Sequence, residues 1–111
     1  MIKAYSDGIP ANGKSVPDGA VMAKVEWAKK SNPAPPYRAT VPGQLSEVSF
    51  MVKDSKRFPA TDGWGYATFR YDDASGAWKP FGGVPAFAST CHACHTIVKT
   101  RDFVYTSYAQ R

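Results

Sequence analysis

Long apolar runs, basic blocks and internal repeats are all missing from this chain. No hydrophobic stretch approaches the ~20 residues that a membrane-spanning helix needs, so no span is expected. The opening residues, Met1-Ile2-Lys3-Ala4-Tyr5-Ser6-Asp7, hold no apolar leader segment. The expectation is that a leader ahead of them has been removed. Acidic residues are few, nine against fourteen Lys and Arg, for a formal net charge of +5. That balance suits an acidic partner or an anionic cofactor. The basic residues are scattered, however, and the basic stripe that nucleic acid demands is absent. They read as a solvated surface, and no nucleic-acid partner is expected.

The residues present bound the class. A length of 111 residues makes one domain, 1–111, and excludes a multidomain enzyme. Apolar residues at 43% and aromatics at 14% exclude a disordered polymer. Glycine and proline, nine of each, argue against a helical bundle, because both break helix interiors.

Periodicity predicts a mostly antiparallel β architecture with a few short helices, an α+β class. Ser6 to Gly19 reads as loop, and Val16-Pro17-Asp18-Gly19 as a turn that launches a strand over Ala20–Trp27. In that strand Val21, Ala23, Val25 and Trp27 share one face, and Met22, Lys24 and Glu26 the other. Ser31–Pro36, with three prolines, reads as a loop. A second strand covers Leu45–Lys53, with Val48, Phe50 and Val52 alternating against Ser49, Met51 and Lys53. Aromatic-rich Trp64–Tyr71 is a third, and Asp72–Gly76 a hairpin turn into a short strand at Ala77–Lys79. Pro80–Ser89 reads as loop, Thr90 to about Lys99 as helix, and Phe103–Tyr108 as a closing strand or extended tail. Short connections favour antiparallel pairing.

The chemistry sits in Cys91-His92-Ala93-Cys94-His95, a C-x-x-C-H motif. This is the attachment signature of c-type haem. Two thiols three residues apart lie on one side of a helical turn and reach both vinyl groups of one porphyrin. His95 then supplies an imidazole to the iron. Two other readings compete. Cys91 and Cys94 could form a redox disulfide, but that expects a βαβ context. A zinc site needs four surrounding ligands, and here all four would come from five consecutive residues. His92, between the cysteines, reads as an exposed spacer.

No methionine or histidine follows His95. A sixth ligand would come from Met22, Met51 or a lysine, or the position stays open. An open iron binds and transforms small molecules, whereas a saturated one mainly passes electrons.

Several stretches in order resemble the cytochrome P-460 family. They are Val16-Pro17-Asp18-Gly19-Ala20-Val21-Met22-Ala23-Lys24, Met51-Val52-Lys53-Asp54-Ser55-Lys56-Arg57-Phe58, Gly63-Trp64-Gly65-Tyr66, Cys91–His95 and Asp102-Phe103-Val104-Tyr105-Thr106. The resemblance implies a mostly antiparallel β fold with helices, a single covalently attached haem c and a periplasmic home. It also implies chemistry on small nitrogen species, hydroxylamine oxidation with nitric oxide also relevant. The related β-type cytochromes c′ share the fold and bind gases. In the type enzymes a lysine bonds to the porphyrin edge, and Lys24 matches it by its place after Pro17-Asp18-Gly19. Family members carry more chain before that turn, so residues 1–15 read as a shortened N-terminal segment, and part of a dimer contact is missing or rebuilt.

Within that frame, Met22 packs on the porphyrin and Lys24 reaches its edge if their strand face holds the haem. Desolvation there would favour the uncharged amine that a cross-link needs. Glu26, on the same face, is a candidate proton acceptor. Arg38 and Arg70 are candidates for the haem propionates, because a guanidinium pairs carboxylates in a fork. Phe50, Phe69, Ala86 and Phe87 are candidates for the distal pocket. Trp64 and Trp78 read as packing. Three functional readings stay open: a haem oxidoreductase acting on hydroxylamine, a non-catalytic gas binder for nitric oxide or carbon monoxide, and an electron carrier with a methionine ligand. A small nitrogen ligand, a redox partner cytochrome and a second copy of the chain are the expected partners.

Overall fold

The computed structural model describes residues 2–6, 14–82 and 86–106, with side chains for 14–82 and 88–106. Five strands form one sheet, β1 (Ile2–Ser6), β2 (Val21–Asn32), β3 (Ala39–Lys53), β4 (Trp64–Asp72) and β5 (Ala77–Phe81). Their order in space is their order in the chain, and every neighbouring pair is antiparallel. The helix α1 (Ala86–His95) runs into a 3₁₀ helix over Thr96–Arg101, and a one-turn 3₁₀ helix occupies Pro59–Thr61. The mostly antiparallel β class read from the periodicity is the fold observed.

The strands are longer than their side-chain alternation indicates. β2 runs five residues past Trp27, and β3 begins six residues before Leu45. Beyond Glu26 and Glu47 these two strands pair only with each other, since β1 ends opposite Glu26 and β4 opposite Glu47. Residues 28–40 of this ribbon are exposed throughout. With no core beneath them they carry no hydrophobic period, so Ser31 and Asn32 read as loop. β1 goes unread for a related reason: its evidence is main-chain pairing from Ile2↔Glu26 to Ser6↔Met22. β5 extends through Pro80, which an edge strand tolerates. Helix α1 starts at Ala86, four residues earlier than expected, and is α-helical only to His95. The closing strand expected from Phe103 is absent through Thr106, because Asp102 (φ 50°) and Phe103 (φ 64°) are both left-handed; residues 107 and 108 lie outside the described residues.

Register assigns the faces. Residues directly opposite across an antiparallel pair point the same way. Met22, Met51 and Tyr66 therefore form one cross-strand row, Lys24, Ser49, Thr68 and Phe81 the next, and Glu47, Arg70 and Lys79 a third. Helix α1 and residues 102–104 pack on this face. Its core is Val16, Ala20, Met22, Val104 and the fully buried Trp64, flanked by Met51, Tyr66 and Phe103. The other face carries Val21, Val25, Val48, Phe50, Val52 and Phe69. Gly65 on it has no side chain, and a Cβ there would run into the Phe58 ring. Helix α1 lies on the Tyr66 side of the sheet, away from this face.

One carboxylate closes the core. Asp102 Oδ2 accepts from the Val16 N–H at 2.7 Å. Its Oδ1 accepts from Lys53 Nζ at 2.8 Å and Trp64 Nε1–H at 3.3 Å. The Lys53 side chain is 11% exposed, so removing its partner leaves a nearly buried ammonium with no counter-charge and only the Asp62 carbonyl at 3.3 Å. Asp102→Ala is expected to cost about 3–5 kcal/mol, read as a lower denaturant midpoint at unchanged slope.

Candidate functional site

Helix α1 turns Cys91, Cys94 and His95 toward the sheet. All three line one cavity of about 640 Å³, together with Met22, Lys24, Met51 and Tyr66. A cavity of this size lies within the range of small-molecule and cofactor sites. The two thiols are free, not bonded to each other. Among the described residues no cluster of three or more ligand side chains could hold a bare metal ion.

The His95 ring is fixed from three sides. Its Nδ1 lies 2.7 Å from the Phe103 carbonyl oxygen. An N–H at Nδ1 donating to that carbonyl leaves Nε2 as the free lone pair, the form a metal ligand needs. The rings of Tyr66 and Tyr105 lie at centroid distances of 5.3 and 5.1 Å. Tyr105 donates its hydroxyl to the Cys94 carbonyl at 2.7 Å. The left-handed pair Asp102-Phe103 turns the chain so that one residue reaches the core and the next offers its carbonyl to His95.

His92 is not the exposed spacer expected. Its side chain is 13% exposed and lies between Asp62 Oδ2 at 2.8 Å and the Tyr66 hydroxyl at 3.0 Å. Burial, with the nearby Asp62 and Asp102 carboxylates adding to it, pushes the Tyr66 phenol well above its ordinary pKa. It therefore stays a hydroxyl. These contacts span 26 and 30 positions of sequence, so no local spacing announces them.

The other sequence-derived candidates separate. Met22 and Lys24 line the cavity. The Lys24 side chain is 47% exposed, and its Nζ lies 2.6 Å from Glu26 Oε1, so burial does not strip this amine of water here. Glu26 does not line the cavity, whereas Glu47 does. Glu47 Oε2 accepts from Arg70 Nε at 2.9 Å, and its Oε1 from Ser49 Oγ at 3.3 Å. Ser49 and Thr68 share a hydrogen bond at 3.0 Å. Arg70 lines the cavity and lies 3.3 Å over the Phe81 ring. Arg38 sits in the exposed loop between β2 and β3 and does not line the cavity. Phe50 and Phe69 stack edge to face at 6.1 Å on the opposite face. Ala23, Phe50 and Ala67 form one cross-strand row there, so Phe50 meets the cavity through its backbone. The side chains of Ala86 and Phe87 lie outside the described residues.

Paired thiols, an imidazole with a free Nε2 and an apolar wall of Met22, Met51 and Val104 fit a porphyrin tethered by its edge. The fold and this donor set define a c-type haem protein. A family model described as Cytochrome P460 matches residues 1–106, and the chain belongs to that family. It is a c-type cytochrome with one covalently bound haem c. The comparison with curated proteins gives no match.

The thiols differ before haem is attached. Burial raises the Cys91 pKa, and the neighbouring Cys94 raises it further. A raised pKa leaves less thiolate at neutral pH, and the thiolate is the nucleophile. Cys94 is exposed. In the haem-free protein at pH 7, iodoacetamide is expected to label Cys94 first, with Cys91 catching up as pH rises, followed by peptide mass spectrometry.

Proposed function

We propose that this cytochrome binds and oxidises a small nitrogen species of the hydroxylamine or nitric oxide class, in the periplasm, and passes the electrons to a redox partner cytochrome. Residues 1–111 act as one haem domain. Cys91 and Cys94 form the thioethers and His95 Nε2 ligates the iron. The haem supplies an iron that binds a nitrogen donor and takes up its electrons.

One observation carries the choice among the three readings. Met22 and Met51 stand in the same cross-strand row as Tyr66, whose ring touches His95. Both pack into the Trp64–Val104 core. Their place beside the iron ligand supports an open position over a methionine-ligated carrier. The next row offers Lys24 and the paired hydroxyls of Ser49 and Thr68. Ser49, which donates to Glu47, would pass a proton from a bound N–H or O–H group on to that carboxylate. Arg70 keeps the Glu47 carboxylate in place. Arg70 also remains the better candidate for a haem propionate, since Arg38 is remote.

The ferric protein is expected to be high-spin and five-coordinate; a low-spin spectrum with a methionine–iron charge-transfer band would establish the carrier. Glu47→Gln is expected to lower hydroxylamine turnover by at least about 10²-fold while carbon monoxide binding to the ferrous form is unchanged. Silver-salt cleavage of the thioethers tests the remaining division. Haem retained on the polypeptide marks a bond to Lys24 and favours oxidation, and haem released marks a gas binder.

The sheet face away from helix α1 supports a homodimer. The accessible surface is 7911 Å², against roughly 6,000 Å² for a folded chain of this mass. The radius of gyration is 16.4 Å, against about 13 Å for this length. A stable interface takes about 800 Å² from each partner, and Val21, 44% exposed, stands on the face in question. Val48→Lys on that face is expected to halve the sedimenting mass of the haem protein.

A further inference from the structure

We propose that His92, the first spacer of the C-x-x-C-H motif, is a positioning residue that holds the Tyr66 ring against His95 and so sets the plane of the iron-ligating imidazole. The inference rests on His95 being the iron ligand and does not depend on which nitrogen species is bound.

The Phe103 carbonyl fixes one atom of the His95 ring, Nδ1, at 2.7 Å. A single hydrogen bond leaves the ring free to rock about that bond. The two neighbouring tyrosines limit the rocking. Tyr105 is tied to the motif helix through its hydroxyl and the Cys94 carbonyl. Tyr66 comes from β4 and is tied to the same helix through His92. The imidazole thus lies between two phenol rings, tilted by 53° and 73° to it, each anchored to the helix that carries His95.

His92 is itself fixed. A carboxylate only accepts hydrogen bonds, so in the neutral imidazole Nε2–H donates to Asp62 Oδ2. Nδ1 is then an acceptor for the Tyr66 hydroxyl. The ring also stacks on Phe103 at 4.8 Å and 31°. Phe103 is the residue whose carbonyl takes His95, so both restraints on the ligand meet at one backbone position. Asp62 holds a left-handed conformation (φ 53°) at the end of the 3₁₀ turn, with its side chain 64% exposed. Its share is therefore the smaller, and the Tyr66–His92 bond is the one that matters.

The test uses the ferric holoprotein with cyanide on the open position. Cyanide is cylindrical, so the spread and order of the four haem methyl proton resonances report the plane of the histidine ligand. Tyr66→Phe and His92→Ala are each expected to change that order, and in the same way. Because the two side chains act as one unit, the double variant is expected to match the single variants rather than add to them. His92→Asn places an amide oxygen where Nδ1 accepts, and is expected to restore the wild-type order. Mass spectrometry fixes one haem per chain in every variant. If Tyr66→Phe and His92→Asn both carry haem and Tyr66→Phe keeps the wild-type order, the proposal is overturned, whatever happens to the melting temperature. A lower melting temperature in His92→Ala with unchanged methyl shifts likewise reduces His92 to a stability role and overturns it. Neither result bears on hydroxylamine turnover, so failure here is distinct from failure of the oxidation reading.

Discussion

The Asp102 carboxylate is the point on which the haem face depends. It gathers the N–H of Val16, the ammonium of Lys53 and the indole N–H of Trp64. These come from the segment before β2, the end of β3 and the start of β4. A nearly buried charge with three donors is stable where the same charge with one would not be. The geometry also fixes the chain that follows. With Asp102 and Phe103 both left-handed, the carbonyl next along is delivered to His95. A packing interaction in the core thus reaches the iron ligand through two peptide units. The energetic cost of two left-handed non-glycine residues is about 1–3 kcal/mol each, a sum that a charge-assisted, three-donor site can meet.

The two-residue period of the sheet divides the work. One face, read across the strands, changes from sulfur and aromatic (Met22, Met51, Tyr66) to hydroxyl (Ser49, Thr68) to charge (Glu47, Arg70) in successive rows. Rows on one face are about 7 Å apart along a strand. A flat apolar cofactor and a polar exit for protons can therefore be served by the same three strands. The other face stays aliphatic and aromatic over the same residues. Helix α1 packs on the first face only, against Tyr66.

The motif was the most legible part of the sequence, because thioether chemistry leaves little freedom in its spacing. Strand parity was legible too. Met22 with Lys24 and Phe50 with Val48 were each placed with the correct companions along their strands. Parity within a strand does not say which face of one strand meets which face of the next. That is set by register, Met22 opposite Met51 and Ala23 opposite Phe50. With the register known, Phe50 and Phe69 move to the far face, while Glu26 shares a row with Glu47 and only Glu47 lines the cavity. The ribbon beyond Trp27 was illegible for the opposite reason, since nothing beneath it imposes a pattern. His92 misled because a histidine between the two cysteines has no obvious partner until β4 is folded beside α1.

A bond between Lys24 and the porphyrin edge would require Lys24 to leave the ion pair that it now makes. Lys24 and Glu26 share a strand face two residues apart, and the amine is nearly half exposed. Exposed pairs of this kind are worth about 0–1 kcal/mol. That is smaller than the free energy of burying most of a four-carbon stem, at roughly 25 cal/mol per Å². A porphyrin seated against Met22 and Met51 extends the apolar surface along which the Lys24 stem can lie, with its head carried toward the cofactor's rim. Glu26, directly across from Glu47, would then turn toward solvent. The ion pair is thus no barrier to the swing. Whether the lysine ends at the porphyrin is decided by the cavity wall and not by its present partner.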